Sequence, residues 1–378
     1  MASALPFMEP IHVIGAGSIG LFFASSIRSA FPSYPLSVLF RPHRRSTMNQ
    51  LLAQDKTMVV CTRQLPGILS TNKRQQPRPQ LARVPFQFTD KSPSCNSSDD
   101  RRKIRNLLVC TKAYQAVPAI RDIQHRFDTT TQLRIILLCN GALDVRDKLE
   151  KTTILQKESS TTPQNVDLIM GSTTHGVINE SLIGTSEIGL EDDDDSDEMF
   201  HLLHVGMGKT YLGMGASSTK SIAQLMDQPG LHAKSIANQE MEVLLWKKLA
   251  ANCVCNPLTA LWDVPNGKLQ DHHPSFATLR AQIIEEISSV GRALHPELQD
   301  GLSIEALDSF VEQVIQANLH NKSSMNRDIQ RKQQTEIENL NGYIVRKTTE
   351  LCLGAAPANE ELLGRIQDLT AGYTYDYR

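Results

Sequence analysis

Residues 11–30 read IHVIGAGSIGLFFASSIRSA. An apolar run short enough for a strand meets a glycine-rich turn, which opens into a segment with helical apolar spacing. The turn is Gly15-Ala16-Gly17-Ser18-Ile19-Gly20, a G-x-G-x-x-G. In a strand–turn–helix unit the first glycine allows the tight turn, the second lets a pyrophosphate approach the backbone, and the third lets helix and strand pack closely. The helix N-terminus adds free N–H groups and the positive end of its dipole. At the first βα turn this pattern predicts a Rossmann-type dinucleotide-binding domain.

The following segments extend that reading. PLSVLF (35–40), IRNLLVCTKA (104–113), LRIILLCNGA (133–142) and VDLIMGSTTHGVI (166–178) are apolar runs that end in polar residues, with helical stretches between them. Such alternation implies a parallel sheet covered by helices. The second strand is followed by Arg41, Arg44 and Arg45 in LFRPHRR, where a carboxylate would mark NAD. A guanidinium pairs with a 2′-phosphate, so NADPH is the expected cofactor and Arg41, at the strand end, its first contact. Lys112 and Asn140 lie at strand ends, where an open parallel sheet keeps its ligand crevice.

From about Asn238 the pattern turns helical: 239–256, 275–294, 304–319 and 325–351 carry helical spacing and no clear strand. The expected organisation is an NADP-binding α/β domain over 8–235 and an all-α catalytic domain over 236–378. Residues 70–103, 152–165 and the acidic run EDDDDSDE (191–198) read as polar, solvated insertions.

Within the helical half, LLWKKLAANCVCNPLTALW (244–262) should be a buried helix, yet Lys248, Asn252 and Asn256 recur every fourth residue and fall on one stripe. A lysine can snorkel and a single asparagine can tie helices together, but three aligned polar groups call for a shared polar object. A small ketoacid is such an object. Lys248 could protonate the alkoxide that hydride addition creates, while the two amides fix oxygens without adding charge. Pro257 is expected to interrupt this helix. Ser324 and Glu336 are further polar positions on the 325–351 helical pattern and its start.

The formal net charge of -2 gives no reason to expect nucleic acid or an anionic membrane. No apolar run reaches the roughly 18 residues of a membrane helix. Seven scattered cysteines suit a reducing compartment. A cytoplasmic protein is expected, with the mitochondrion left open. No metal site is expected, because His201/His204 and His272/His273 lack further ligands at metal-like spacing.

The chain resembles ketopantoate reductases. The likeness rests on the glycine turn, TKAYQ (111–115), CNG (139–141), GSTTHG (171–176), LWKKLAANCVCNPLTALWDVPNG (245–267), SSM (323–325) and TEIENLNGYIVR (335–346). It implies a Rossmann domain followed by a helical domain, with the site in the cleft between them, and reduction of 2-dehydropantoate to (R)-pantoate by NADPH, a step toward pantothenate and coenzyme A. It implies Lys248 as proton donor and Asn252, Asn256 and Asn266 as substrate contacts. Ser324 would bind the substrate carboxylate, and Glu336 would contact the cofactor and support catalysis. Lys112 and Asn140 would hold cofactor, Asn140 also touching substrate, and Val177 would offer a backbone contact. The alternatives are a reductase of another ketoacid and a non-catalytic NADPH-binding protein. The insertions leave the assembly open between monomer and homodimer.

Overall fold

A computed structural model describes residues 8–40, 57–64, 80–88, 103–152, 154, 165–180, 199–214 and 218–373. The chain divides into two compact units, Met1–Cys139 with Lys148–Asn238, and Asn140–Asp147 with Gln239–Arg378.

The first unit is an α/β domain of the expected type. Strand β1 (Ile11–Ile14) leads through the glycine turn into helix α1 (Ser18–Ala30) and then β2 (Leu36–Phe40). Strands β3 (Thr57–Gln64) and β4 (Gln80–Phe88) follow, then β5 (Asn106–Val109), helix α2 (Ala113–Ile123), β6 (Leu133–Leu137) and helix α3 (Ala142–Glu150). The unit continues with β7 (Val166–Thr173), β8 (Gly176–Asn179), β9 (Met199–Gly206), β10 (Thr210–Gly213), helix α4 (Ser218–Met226) and β11 (Ala233–Ile236). Strand β1 is central and pairs in parallel with β2 and β5; β5 continues through β6 to β7, all parallel. Strands β1, β2, β5 and β6 are buried along their whole length, as strands covered on both faces must be.

The described strands form one sheet in the order β11-β10-β7-β6-β5-β1-β2-β4-β3-β9-β8. Strands β7 and β8 are far apart in that order, yet only Thr174 and His175 separate them in the chain. The sheet therefore curls, and what it curls around is α1, which packs on β2, β3, β4 and β8. Leu21, Phe22, Phe23 and Ile27 of α1 share one buried cluster with Met58, Val60, Val84 and Phe86.

Strand β4 corrects the sequence reading, which gave all of 70–103 to a solvated insertion. Ala82, Val84 and Phe86 face inward while Leu81 and Arg83 are exposed, a period-two pattern hidden within a polar window. The 152–165 stretch, apart from Thr152, Ile154 and Asn165, and all of 191–198 lie outside the described residues.

The second unit is helical, as expected. It comprises α5 (Asn238–Trp262, beginning at the boundary), α6 (Leu269–His272), α7 (Phe276–Leu294), α8 (Ile304–Ala317), α9 (Ser324–Gln330), α10 (Asn341–Glu350) and α11 (Pro357–Thr370). Trp246 of α5 is fully buried against Tyr343 and His295. A methyl group on Gly291 of α7 would stand 3.3 Å from its indole, so the small residue lets α5 and α7 approach.

Two helix expectations fail here for identifiable reasons. First, α5 runs straight through Pro257. A proline removes the hydrogen bond to the carbonyl four residues back, here that of Cys253. The Asn341 side-chain amide donates to that carbonyl at 3.1 Å and replaces the missing bond. Second, the continuous helix expected over 325–351 is split into α9 and α10. Lys332 has φ 52°, Gln333 N–H donates to Asp328 O, and Lys332 N–H donates to Ile329 O. That bond pair around a left-handed residue terminates a helix.

Residues Asn140–Asp147 belong to the second unit by charge pairing as well as by packing. Arg146 forms a two-pronged pair with Glu242 at 2.6 and 3.1 Å, Asp144 meets Arg346 at 2.8 Å, and Asp147 meets Lys347 at 2.6 Å.

Candidate functional site

In the first unit, the three glycines of the turn are required for different reasons. Gly15 has φ 105°, and a Cβ there would stand 2.6 Å from the backbone of Cys110 and Thr111. A Cβ on Gly20 would stand 2.0 Å from Gly15 O. Both are demanded by the fold itself. Gly17 is different: a Cβ there would meet nothing within 4 Å, and its φ of -90° suits any residue. Among the described residues no packing contact calls for a glycine at 17, whereas a phosphate lying against the backbone would. Helix α1 follows with no acidic residue in its first turn and no side-chain cap, so its N–H groups suit an anion. These features fit a dinucleotide.

Lys112 is half-buried at the start of α2, one residue beyond the Cys110–Thr111 backbone that packs on Gly15. Val177 lies beside a register shift between β8 and β9 at Gly176/Val177, and such irregularities leave backbone groups outside the ladder. The turn before it is braced by His175, whose Nε2 lies 3.1 Å from Leu231 O and whose Nδ1 accepts from Gly208 N–H at 3.2 Å. His175 is thus neutral with its proton on Nε2, in contact with His204 at 3.1 Å. Burial holds the pKa of both histidines below the ordinary value. Arg41 lies outside the described residues, directly after Phe40 at the end of β2.

In the second unit the polar stripe is real. Lys248 and Asn252 are half-buried on α5, and Asn256 is buried with 8% of its surface exposed. Neither Asn252 nor Asn256 hydrogen-bonds through its side chain to any described residue, whereas the Thr259 hydroxyl on the same helix is within hydrogen-bond distance of Cys255 O, Asn256 O and Ser323 Oγ. Neither amide is among the buried polar atoms without a partner, so both reach solvent and are open to an outside ligand.

Asn140 and Glu336, 196 residues apart in the chain, come together: the Asn140 amide faces Glu336 Oε2 at 3.5 Å, the long limit of a hydrogen bond. Glu336 is 4% exposed. Instead of standing on a long helix, it immediately precedes a single 3-10 turn, Ile337–Asn339, without capping it through its side chain. Ser324 is exposed at the first position of α9. Its neighbour Ser323 caps that helix, accepts from the Thr259 hydroxyl at 2.7 Å and lies 3.4 Å from Asn256 O. The start of α9 is thereby fixed beside Asn256, a link that the sequence reading missed because Thr259 looks like an ordinary helix residue. Asn266 is buried and spends its amide nitrogen on Asn318 O and Asn321 O, leaving only Oδ1 without a partner.

Other reactive groups are unsuited to chemistry. Burial pushes the Cys255 thiol up to about 12 and the Cys253 and Cys110 thiols far above their ordinary value. Among the described residues no cluster of histidine, cysteine and carboxylate groups could hold a metal ion, and no helix is long and apolar enough to cross a membrane.

Two family profiles match the chain: "Ketopantoate reductase PanE/ApbA" over residues 11–217 and "Ketopantoate reductase PanE/ApbA C terminal" over 240–370. The chain belongs to the ketopantoate reductase family. It is 31% identical over 269 residues to the 2-dehydropantoate 2-reductase of Escherichia coli O157:H7, covering 71% of this chain and 75% of that one. It is 30% identical over 274 residues to the enzyme of the same name from Vibrio cholerae, covering 71% and 78%. Among solved structures, the fold is similar to a PanE/ApbA family ketopantoate reductase from Ralstonia eutropha (TM-score 0.66, 18% identity, 96% and 99% covered). It is also similar to D-mandelate dehydrogenase in a complex with NADH and anilino(oxo)acetate (TM-score 0.68, 18% identity, 97% and 99% covered). The chain is therefore an oxidoreductase of this family.

Proposed function

We propose that the protein reduces 2-dehydropantoate to (R)-pantoate with NADPH, the reaction that supplies pantoate for pantothenate and coenzyme A. The observation that carries this reading is the α5 stripe: a lysine followed at helical spacing by two solvent-reaching amides that no described residue hydrogen-bonds. A substrate with a ketone, a carboxylate and a hydroxyl offers groups for each of them.

Bound NADPH supplies the hydride. The rest falls to this chain. The Gly15–Gly20 turn and the first turn of α1 take the pyrophosphate, Lys112 and the Val177 backbone add cofactor contacts, and Arg41 takes the 2′-phosphate. As negative charge develops on the ketone oxygen, the Lys248 ammonium stabilises it and delivers the proton that makes the hydroxyl. Asn252 and Asn256 orient the substrate oxygens. Asn266 contributes only an acceptor, its Oδ1, suited to a substrate hydroxyl. Glu336, held by Asn140, supports catalysis and contacts cofactor, and Asn140 also touches substrate. Ser324 binds the carboxylate. The reaction is expected in the cytoplasm or mitochondrion, by a monomer or homodimer, on a small-molecule substrate with no nucleic-acid or membrane partner.

The test is NADPH oxidation with 2-dehydropantoate, by wild type and Lys248→Ala. The variant should lose roughly a hundredfold or more in kcat and still bind NADPH; turnover near wild type removes the assignment. A second reading, reduction of a different 2-ketoacid with either nicotinamide, draws on the fold likeness to the mandelate enzyme. A panel of ketoacids with NADPH and NADH separates the two, and a protein that binds NADPH but reduces none of them is the non-catalytic case.

A further inference from the structure

The second unit treats its half-buried arginines alike, with one exception. Arg146 pairs with Glu242, Arg280 with Asp308 and Glu312, and Arg346 with Asp144 and Glu338. Arg327, on α9, is also half-buried. Its guanidinium makes no ion pair and no hydrogen bond with any described residue; only its backbone is engaged, with N–H donating to Ser323 O. Among the described residues, the charge that acts on it is the like charge of Arg331, one turn along. Burial first, and Arg331 second, press its pKa below the ordinary arginine value, so both work against the cation. A guanidinium stays charged even so, and a partly desolvated charge of this kind is stabilised by an anion.

The placement of that charge is set by the faces of α9. Residues 323, 326 and 330 lie along one face, which is fastened to the end of α5: Ser323 to Thr259, Asn326 to Thr259 O and Asp263, Gln330 to Asp263. Residues 324, 327 and 331 have the same spacing on the neighbouring face, about 100° around. Ser324 and Arg327 are thus side by side on a short helix whose orientation is locked beside Asn256. The lock fixes the backbone from which Arg327 extends beside Ser324, and a guanidinium can meet a planar anion with two parallel hydrogen bonds.

We propose that Arg327 is a specificity-determining residue: its guanidinium, with the Ser324 hydroxyl one turn earlier, receives the carboxylate of the ketoacid. This inference rests on the ketoacid-reductase reading above. It makes recognition of the acid a recognition of charge, beyond what a serine and neutral amides supply, so an esterified ketoacid is discriminated against through one side chain.

The experiment compares 2-dehydropantoate with its methyl ester, in the full-length chain, for wild type, Arg327→Met, Arg327→Gln and Arg327→Lys. Melting temperature is followed for each variant, and NADPH affinity by fluorescence titration. Arg327→Met should raise KM for the acid by roughly ten- to a hundredfold, leave KM for the ester and the NADPH Kd unchanged, and change kcat little; Arg327→Lys should recover part of the loss. An unchanged KM for the acid in Arg327→Met overturns the inference. So does a loss confined to NADPH affinity, since the anion would then be a cofactor phosphate. If wild type reduces another 2-ketoacid but not 2-dehydropantoate, the substrate assignment falls, and the same comparison on that acid and its methyl ester decides the role of Arg327. Reduction of no ketoacid overturns both.

Discussion

The Asn341 side-chain amide donates to the backbone carbonyl of Cys253, the group that Pro257 leaves without its helical partner. Asn341 also reaches Asn359 Oδ1 at 2.9 Å, and Asn359 in turn reaches Glu286 at 2.7 Å. Through this chain α10, α11 and α7 all support the middle of α5, the stretch that holds Asn252 and Asn256. Proline in a helix interior costs about 3 kcal/mol when nothing compensates; here the compensation is a fully buried asparagine.

Asn341→Ala should therefore destabilise the protein by about 1–3 kcal/mol. In a Pro257→Ala background residue 257 regains an N–H for the Cys253 carbonyl, and the loss should shrink. Urea unfolding of the two single variants and the double variant gives the coupling energy, expected near 1 kcal/mol on the scale of contacting residues. Additive losses would show that Asn341 acts elsewhere.

Gly17 and Gly20 should part company on substitution. Gly17→Ala introduces a methyl group that meets no atom of the described residues within 4 Å, so stability should stay within about 0.5 kcal/mol of wild type, while NADPH affinity falls roughly tenfold or more. Gly20→Ala forces a methyl group onto Gly15 O and should cost about 3 kcal/mol or prevent folding. Unfolding curves and NADPH fluorescence titrations of the two proteins check this. A Gly17→Ala protein that keeps full affinity would count against a phosphate at that turn.

The amides of the α5 stripe should show the opposite balance to Asn341. Because no described residue hydrogen-bonds the Asn256 side chain, whose amide reaches solvent, Asn256→Ala should leave stability within about 0.5 kcal/mol of wild type. The same variant should raise KM for the ketoacid roughly tenfold. Melting temperature and steady-state kinetics read the two effects separately; a destabilised variant with an unchanged KM would make Asn256 a structural residue.

Acid should weaken the first unit through its buried histidines. Burial, then Arg126, lowers the His12 pKa to about 4 from 6.5, and His175 and His204 are lowered too, chiefly by burial. Their unfolded forms take up protons first, so the stability that these histidines provide is complete above about pH 6.5. It is lost as pH falls from there toward about 4. Each contributes a slope of at most about 1.4 kcal/mol per pH unit in that window. Urea midpoints at pH 7.5, 5.5 and 4.5 measure the decline, and His12→Gln should flatten it. A midpoint constant down to pH 4.5 would contradict the burial of these rings.

How much of this was visible beforehand depended on whether a feature is local. The glycine turn, the parallel strands beside it and the all-helical second half show in short windows of sequence, because periodicity and turn chemistry are local properties. The stripe of Lys248, Asn252 and Asn256 was visible for the same reason. Strand β4 was not: Arg83 and Pro85 dilute its alternation, and its inward face exists only because the sheet curls over α1. The break at Lys332 needed a left-handed lysine, which no composition announces. Helix α5 survives Pro257 because of Asn341, 84 residues later in the sequence. The burial of Glu336 and its meeting with Asn140 likewise join distant parts of the chain.

The chain passes from one unit to the other at 139/140, at 147/148 and at 238/239. No single cut in the gene can therefore release either unit whole. A fragment starting at Gln239 would lack the short stretch that carries Asp144, Arg146 and Asp147, so Glu242, Arg346 and Lys347 would each lose one of their ionic partners. Dissection of this protein, or transplantation of its helical half onto another dehydrogenase, succeeds only if those eight residues, Asn140–Asp147, travel with it.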